Sequence, residues 1–151
     1  MNKLMHSGLL LAVAFLFSAS AFAQSPIGKW RTIDDETGEA KSVVEIYQDG
    51  NKLFGKIVKL LPEGRPTVCP VDECEGEYSG KELIGAVILR DLKRDGDDWE
   101  DGKITDPGNG KTYNAKMSLA DANTLEVRGF IKVPLMGSAL GRTQTWYRVT
   151  E

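Results

Sequence analysis

The sequence predicts an all-β protein, a small antiparallel up-and-down β-barrel of about eight strands. Short β-prone runs separated by Gly, Asn and Asp recur from Gly28 to Val149, and helical periodicity is almost absent from the same span. Closing eight antiparallel strands into one sheet removes the exposed edges that invite aggregation. A barrel of this size is either filled by side chains or holds one small ligand.

The clearest local signal is a hairpin near the start of this span. Two β-prone runs, Ser42 to Gln48 and Lys52 to Val58, flank Asp49-Gly50-Asn51. Those three residues tolerate the positive φ that tight turns require. A shorter run before the hairpin, Ile27 to Thr32, supplies the first strand.

Five further runs complete the predicted set. They are Leu83 to Asp91, Trp99 to Thr105, Thr112 to Leu119, Thr124 to Ile131 and Arg142 to Val149. Turn sequences separate the later runs, at Asp106-Pro107-Gly108-Asn109-Gly110 and at Asp121-Ala122-Asn123. The apolar stretch from Leu83 to Leu92 is nearly continuous, so it is equally consistent with a buried helical turn.

Alternation along two of these runs indicates what faces the interior. One face carries Tyr113, Ala115, Met117 and Leu119, and the next strand carries Leu125, Val127 and Gly129. Small and large residues therefore point the same way. That mixture fits a tapering interior with space left in it, and it fits a solid core equally well.

An irregular stretch from Leu61 to Gly80 separates the third and fourth runs and contains three prolines and both cysteines. Long irregular loops are often lids or binding loops, although a plain surface loop also fits. We predict a structural disulfide between Cys69 and Cys74, as expected in an oxidising compartment. Two thiolates without histidine fall short of a zinc site, and their C-x-x-x-x-C spacing is not that of a redox motif.

The N-terminal segment predicts export. Residues Met1 to Ala23 combine a positive start at Lys3, a short apolar core and an A-x-A cleavage site, as in secretory signal peptides. The apolar run is shorter than the roughly 20 residues that a membrane-spanning helix needs. We therefore expect a periplasmic or extracellular protein with one β-barrel domain, residues 24–151, and no membrane span.

The net charge and the histidine content argue against two classes of function. The formal net charge of −3 disfavours nucleic-acid binding. The single histidine, His6, lies in the predicted signal peptide, which excludes Ser-His-Asp and Cys-His catalysis in the mature domain. A carboxylate pair remains conceivable, but spacing singles out no pair. We assign no catalytic residue, no metal ligand and no cofactor.

Four residues are the candidate ligand contacts. Arg128 and Arg142, if they face inward, present planar donor forks to a carboxylate or phosphate, and Tyr113 and Trp146 offer apolar and hydrogen-bonding surface. The alternative is that both arginines face solvent. Asp106 has a structural role in this interpretation, because Asp-Pro initiates turns.

Gly28-Lys29-Trp30 resembles the G-x-W that opens lipocalins and also occurs near the start of avidin-like barrels. In lipocalins this Trp closes one barrel end under an Arg from the last strand. The resemblance implies that Trp30 stacks against Arg142 or Arg148, a contact worth about 0.5 to 2 kcal/mol.

A larger set of segments resembles the exported bacterial family named domain of unknown function 2147. The set comprises Gly28-Lys29-Trp30, Val44-Glu45-Ile46-Tyr47, Gly55-Lys56-Ile57, Gly102 to Tyr113, Leu125 to Gly129, and Gly141 to Trp146. The likeness implies a lipocalin-like or avidin-like β-barrel and no assigned activity.

These observations leave more than one function open. The first hypothesis is a monomeric exported barrel that binds a small amphipathic or anionic molecule in its interior. The alternative is an envelope interaction or structural module with a filled core and a protein partner. A carboxylate-based hydrolase is a third interpretation.

Overall fold

The protein folds as a closed antiparallel barrel of eight strands, as the sequence predicts. The computed structural model describes residues 24–135 and 139–150, and the predicted signal peptide lies outside them. The strands are β1 Gly28–Ile33, β2 Ala40–Asp49, β3 Lys52–Leu60, β4 Val87–Asp95, β5 Asp98–Thr105, β6 Thr112–Asp121, β7 Thr124–Lys132 and β8 Ala139–Arg148. A single 3₁₀ turn, Gly76–Tyr78, is the helical element of the described chain, and no helix in the described ranges could span a membrane.

Each strand pairs with its neighbours in sequence, and β1 also pairs with β8. That last pairing places Trp30 opposite Arg148 and Thr32 opposite Trp146. Because the first and last strands meet, the described sheet has no free edge.

The fourth strand differs from its prediction. It runs from Val87 to Asp95 rather than from Leu83 to Asp91, and the helical alternative is wrong. Leu83 and Ala86 are buried, but they belong to the preceding loop, so the apolar run spans a loop and a strand. Asp91 breaks the alternation with a φ of 61°, at a point where the pairing of β4 with β3 shifts register.

The two ends of the barrel differ in their connections. Two-residue turns join β2 to β3, β4 to β5, and β6 to β7 at one end, which we call the closed end. The connections at residues 34–39, 61–86 and 106–111 lie at the opposite, open end. The irregular loop predicted from the prolines and cysteines is therefore part of the open end.

Large apolar side chains fill the closed-end half of the interior. Trp30, Val44, Ile46, Leu92 and Leu125 are each at most 1% exposed. The predicted inward faces of β6 and β7 are observed, since Ala115, Met117 and Val127 are also buried.

Arg148 seals this packed end. Its guanidinium carbon lies 4.2 Å from the centre of the Trp30 ring. The same guanidinium donates hydrogen bonds to the carbonyls of Ala122, Ile27 and Ser25, at 2.7, 3.1 and 2.8 Å. One side chain thus ties the β6–β7 turn and the segment before β1 over the indole, which itself donates to Pro26 O at 2.8 Å.

Trp30→Ala should destabilise the barrel by about 3 to 5 kcal/mol, because it leaves a large void under Arg148. Urea unfolding measures the loss. Tyr147→Ala is the control, since that aromatic ring is 44% exposed on the adjoining strand and should cost below about 1 kcal/mol. An equally small loss for Trp30→Ala would contradict the role assigned to the indole.

Candidate functional site

The half of the interior nearest the open end is not filled by side chains. It contains a cavity of about 580 Å³ to which all eight strands contribute, within the size range of small-molecule sites. We call this space the open-end cavity. Alternation along the strands allowed either a solid core or an interior with space left in it. The structure has the second arrangement.

The deeper wall of the open-end cavity is apolar. It is formed by Leu60, Leu83, Ile88, Ile104, Val127 and Trp146. Trp146 is only 1% exposed, and its indole N–H donates to Gln144 Oε1 at 3.2 Å. A ligand that reached this wall would meet hydrocarbon and one aromatic ring whose polar atom is already bonded.

Three hydroxyl groups of the lining, those of Thr32, Ser42 and Thr105, are each paired with another hydroxyl. Thr32 Oγ1 and Ser42 Oγ share a hydrogen bond of 2.8 Å between β1 and β2. Thr105 Oγ1 and Thr112 Oγ1 are 2.8 Å apart across β5 and β6. Three of these residues, Thr32, Ser42 and Thr105, are buried, so mutual pairing avoids the cost of desolvated hydroxyls.

Charged side chains surround the outer part of the cavity, which we call the mouth. They are Asp34, Asp35, Glu36, Lys41, Arg65, Asp106 and Arg142. The apolar wall and the charged mouth give the cavity an amphipathic lining.

Arg142 ties β8 to the β1–β2 loop at the mouth. Its Nε and Nη2 donate to the two carboxylate oxygens of Asp35 at 3.0 and 2.7 Å, and Nη2 lies 3.2 Å from Glu36. The hydrogen bonds to Asp35 raise the pKa of the Arg142 guanidinium above the usual value for an arginine. The pKa of the neighbouring Asp34 is lowered, because the backbone N–H groups of Thr37 and Glu36 donate to its carboxylate.

The structure brings three of the four predicted ligand contacts together. Tyr113, Arg142 and Trp146 line the open-end cavity. Arg128 does not line it, because it alternates with the buried Val127 and points to the outer face, where its Nη1 donates to Thr143 Oγ1 at 3.3 Å.

The predicted structural residues divide between the two ends. Trp30 and Arg148 stack at the closed end, whereas Asp106 lies at the mouth. Asp106 organises its hairpin as expected, with Oδ1 accepting from Gly108 N at 2.7 Å and its carbonyl accepting from Gly110 N at 2.8 Å.

The predicted disulfide between Cys69 and Cys74 is confirmed. Both cysteines are buried, in the loop 61–86 that covers one side of the open end. Cys69 Sγ lies 3.1 Å from Pro107 O, so the bridge packs directly on the β5–β6 hairpin.

A backbone contact completes the docking of the loop on this hairpin. Glu75 N donates to Asn109 O at 2.9 Å. Gly110, at a φ of 77°, sits so close to the loop that a Cβ there would lie 1.8 Å from Glu75 O. The glycine is therefore required both by its backbone conformation and by the approach of the loop.

Tyr78 anchors the same loop to β4. It is 7% exposed, its hydroxyl donates to Val87 O, and it accepts from Arg90, which also pairs with Glu77. Burial raises the pKa of the Tyr78 phenol.

Sequence reasoning missed several residues of the mouth. Asp35 and Glu36 were indistinguishable from an ordinary polar turn, and Arg65 lies in an irregular loop whose path no periodicity defines. Leu83 was assigned to the fourth strand, and its apolar character gave no signal for its place in the loop, since Val71 and Ile84 of the same loop are exposed.

Comparison with known proteins agrees with this architecture. The family described as "Uncharacterized protein conserved in bacteria (DUF2147)" matches residues 28–148. No curated protein matches the chain. Among solved structures, the barrel is similar to protein HP1028 from Helicobacter pylori, described as belonging to the lipocalin family, with a TM-score of 0.68, 19% identity and 84% of each chain covered. The resemblance inferred from sequence is confirmed, and the structural likeness establishes a lipocalin-like fold.

Gly110→Ala should destabilise the protein more than Gly96→Ala and should undock the loop. Both glycines have positive φ, but nothing lies within 4 Å of a Cβ at Gly96, so that variant reports the backbone cost alone, about 1 to 2 kcal/mol. Urea unfolding compares the two, and hydrogen exchange reports the Glu75 amide. Equal losses with an unchanged amide would show that the loop does not rest on Gly110.

Raising the pH above about 10 should lower the contribution of Tyr78 to the stability of the fold. The pKa of its phenol is higher in the folded than in the unfolded protein, so the unfolded chain ionises first as the pH rises above about 10, the ordinary pKa of a tyrosine. The stability difference between wild type and Tyr78→Phe should therefore be constant below this pH and change above it. Urea unfolding of both proteins across this pH range measures it, and a parallel pH dependence would contradict the burial of the phenol.

Proposed function

The chain belongs to the DUF2147 family, and on that premise we propose that it binds a small amphipathic molecule in the open-end cavity. The observation that supports this function is the cavity itself, about 580 Å³ with an apolar wall and a charged mouth. Small-molecule sites are typically concave, mostly apolar and fitted with a few polar groups that orient the ligand. The hydrocarbon part of the ligand would lie against Trp146 and Val127, and its polar part would face the mouth.

Tyr113 and Trp146 are the proposed aromatic contacts. Tyr113 is half-buried opposite Ile104, and Trp146 is buried deeper in the cavity. Aromatic surface of this kind contributes much of the area buried by an apolar ligand. Arg142 would contribute at the mouth, with Asp35 fixing its orientation.

We also propose that the protein acts outside the cytoplasm as a monomer. The signal-like segment Met1 to Ala23 supports export. The disulfide between Cys69 and Cys74 supports an oxidising compartment. A barrel that closes on itself needs no second copy to cover its strand edges.

Filling the cavity should abolish ligand binding without unfolding the barrel. Ile104→Trp adds bulk to a residue that lines the cavity. Leu119→Trp is the matched control, because Leu119 is likewise a partly buried hydrophobic residue packed against the core but does not line the cavity. Titration with the uncharged fluorescent probe N-phenyl-1-naphthylamine measures binding.

We expect wild type and Leu119→Trp to bind the probe and Ile104→Trp to lose at least about tenfold in affinity. Circular dichroism and urea unfolding check that both variants fold. Equal binding by all three folded proteins would place the probe elsewhere and argue against the cavity as the binding site.

A further inference from the structure

We propose that Arg65 binds the headgroup of the ligand, and that the ligand is a single-chain amphiphile with a carboxylate. This inference rests on the proposed function, since it names the ligand class of the open-end cavity. It assigns the recognition of the headgroup to a residue outside the predicted set.

Two of the three cations at the mouth already have carboxylate partners. Arg142 is bound by both oxygens of Asp35 and lies near Glu36. Lys41 Nζ lies 3.4 Å from Glu39 and 3.9 Å from Asp34. A ligand carboxylate would have to compete with these resident acids for either cation.

Arg65 differs from them in its partners. Its Nη1 donates to the carbonyl of Leu61 at 3.1 Å, and among the described residues it forms no ion pair. The acid nearest in sequence, Glu63, is engaged by Lys59, and that hydrogen bond lowers the pKa of the Glu63 carboxyl. The charge of Arg65 is therefore not neutralised locally.

The position of Arg65 suits it to meet a headgroup. Leu61, which accepts its hydrogen bond, is itself fixed by donating its amide to Lys41 O at 2.8 Å, next to the end of β3. One bond to a backbone carbonyl orients the guanidinium, and its other N–H groups remain for a ligand. A guanidinium binds a carboxylate through two parallel hydrogen bonds, a geometry that an ammonium group cannot offer.

Each acid of the mouth has donors of its own, so none of the acids that line it is the partner of Arg65. Asp35 and Glu36 share Arg142, and Asp34 accepts from two backbone amides. Asp106 accepts from Gly108 N and from the Asn109 side chain. Arg65 is thus the cation at the mouth best placed to recognise an added carboxylate.

The test compares two ligands of equal chain length. Decanoate and decan-1-ol are each titrated against N-phenyl-1-naphthylamine bound to the mature domain, residues 24–151, at neutral pH and low ionic strength, and displacement of the probe is measured. We expect wild type to prefer decanoate by about tenfold, the scale of one charge-assisted interaction at a partly exposed site. Screening by added salt should reduce that preference.

Three variants test whether Arg65 is responsible for the preference for decanoate over decan-1-ol. Arg65→Gln should bind both ligands equally, mainly by losing affinity for decanoate. Arg65→Lys should restore part of the preference, since it keeps the charge but loses the planar fork. Arg94→Gln should keep the full preference, because Arg94 is likewise held by one backbone carbonyl, Gly96 O at 2.9 Å, but lies at the closed end.

The possible results distinguish a failure of the role proposed for Arg65 from a failure of ligand binding in the open-end cavity. Equal binding of the two ligands by wild type, or a preference that survives in Arg65→Gln, would overturn the role of Arg65 while leaving the cavity as the site. If neither ligand displaces the probe and Ile104→Trp binds that probe normally, both the proposed function and the inference fail.

Discussion

Pairing of β1 with β8 is the constraint on which the rest of the molecule depends. It turns an eight-stranded meander into a closed sheet, and it brings Trp30 next to Arg148. Because Arg148 also binds carbonyls before β1 and in the β6–β7 turn, one guanidinium fastens three segments that are distant in sequence. Gly28 belongs to the same arrangement, since a Cβ there would lie 3.0 Å from Arg148 Nη1.

Because Arg148 and Trp30 close one end of the barrel, the two halves of the interior can differ in how tightly they are packed. Tight turns and large side chains complete the hydrophobic core at one end, so the other end does not have to be packed for the barrel to be stable. The long connections at the open end can then adopt conformations that serve a cavity. Ion pairs such as that between Arg142 and Asp35 hold those connections in place. The connections lie at the surface, where they do not need apolar packing to keep their positions.

Much of the fold could be predicted from sequence, because alternation and turn chemistry are local signals. The eight strands, the disulfide and the inward faces of β6 and β7 follow from residues within a few positions of one another. The facing of Arg128 and Arg142 could not be predicted, since it depends on strand register and on bulges such as that at Asp91. The mouth is harder still, because Arg65 reaches it through a loop without periodicity.

The contact between Glu75 and Gly110 has a consequence for how sequences of this architecture can diverge. The Asp106-to-Lys111 hairpin alone would explain a turn, but its final glycine is also the surface on which a separate loop rests. A side chain at that position therefore requires a different loop path, and a longer loop requires a different hairpin. The two segments should accordingly change together across relatives, as one inherited unit.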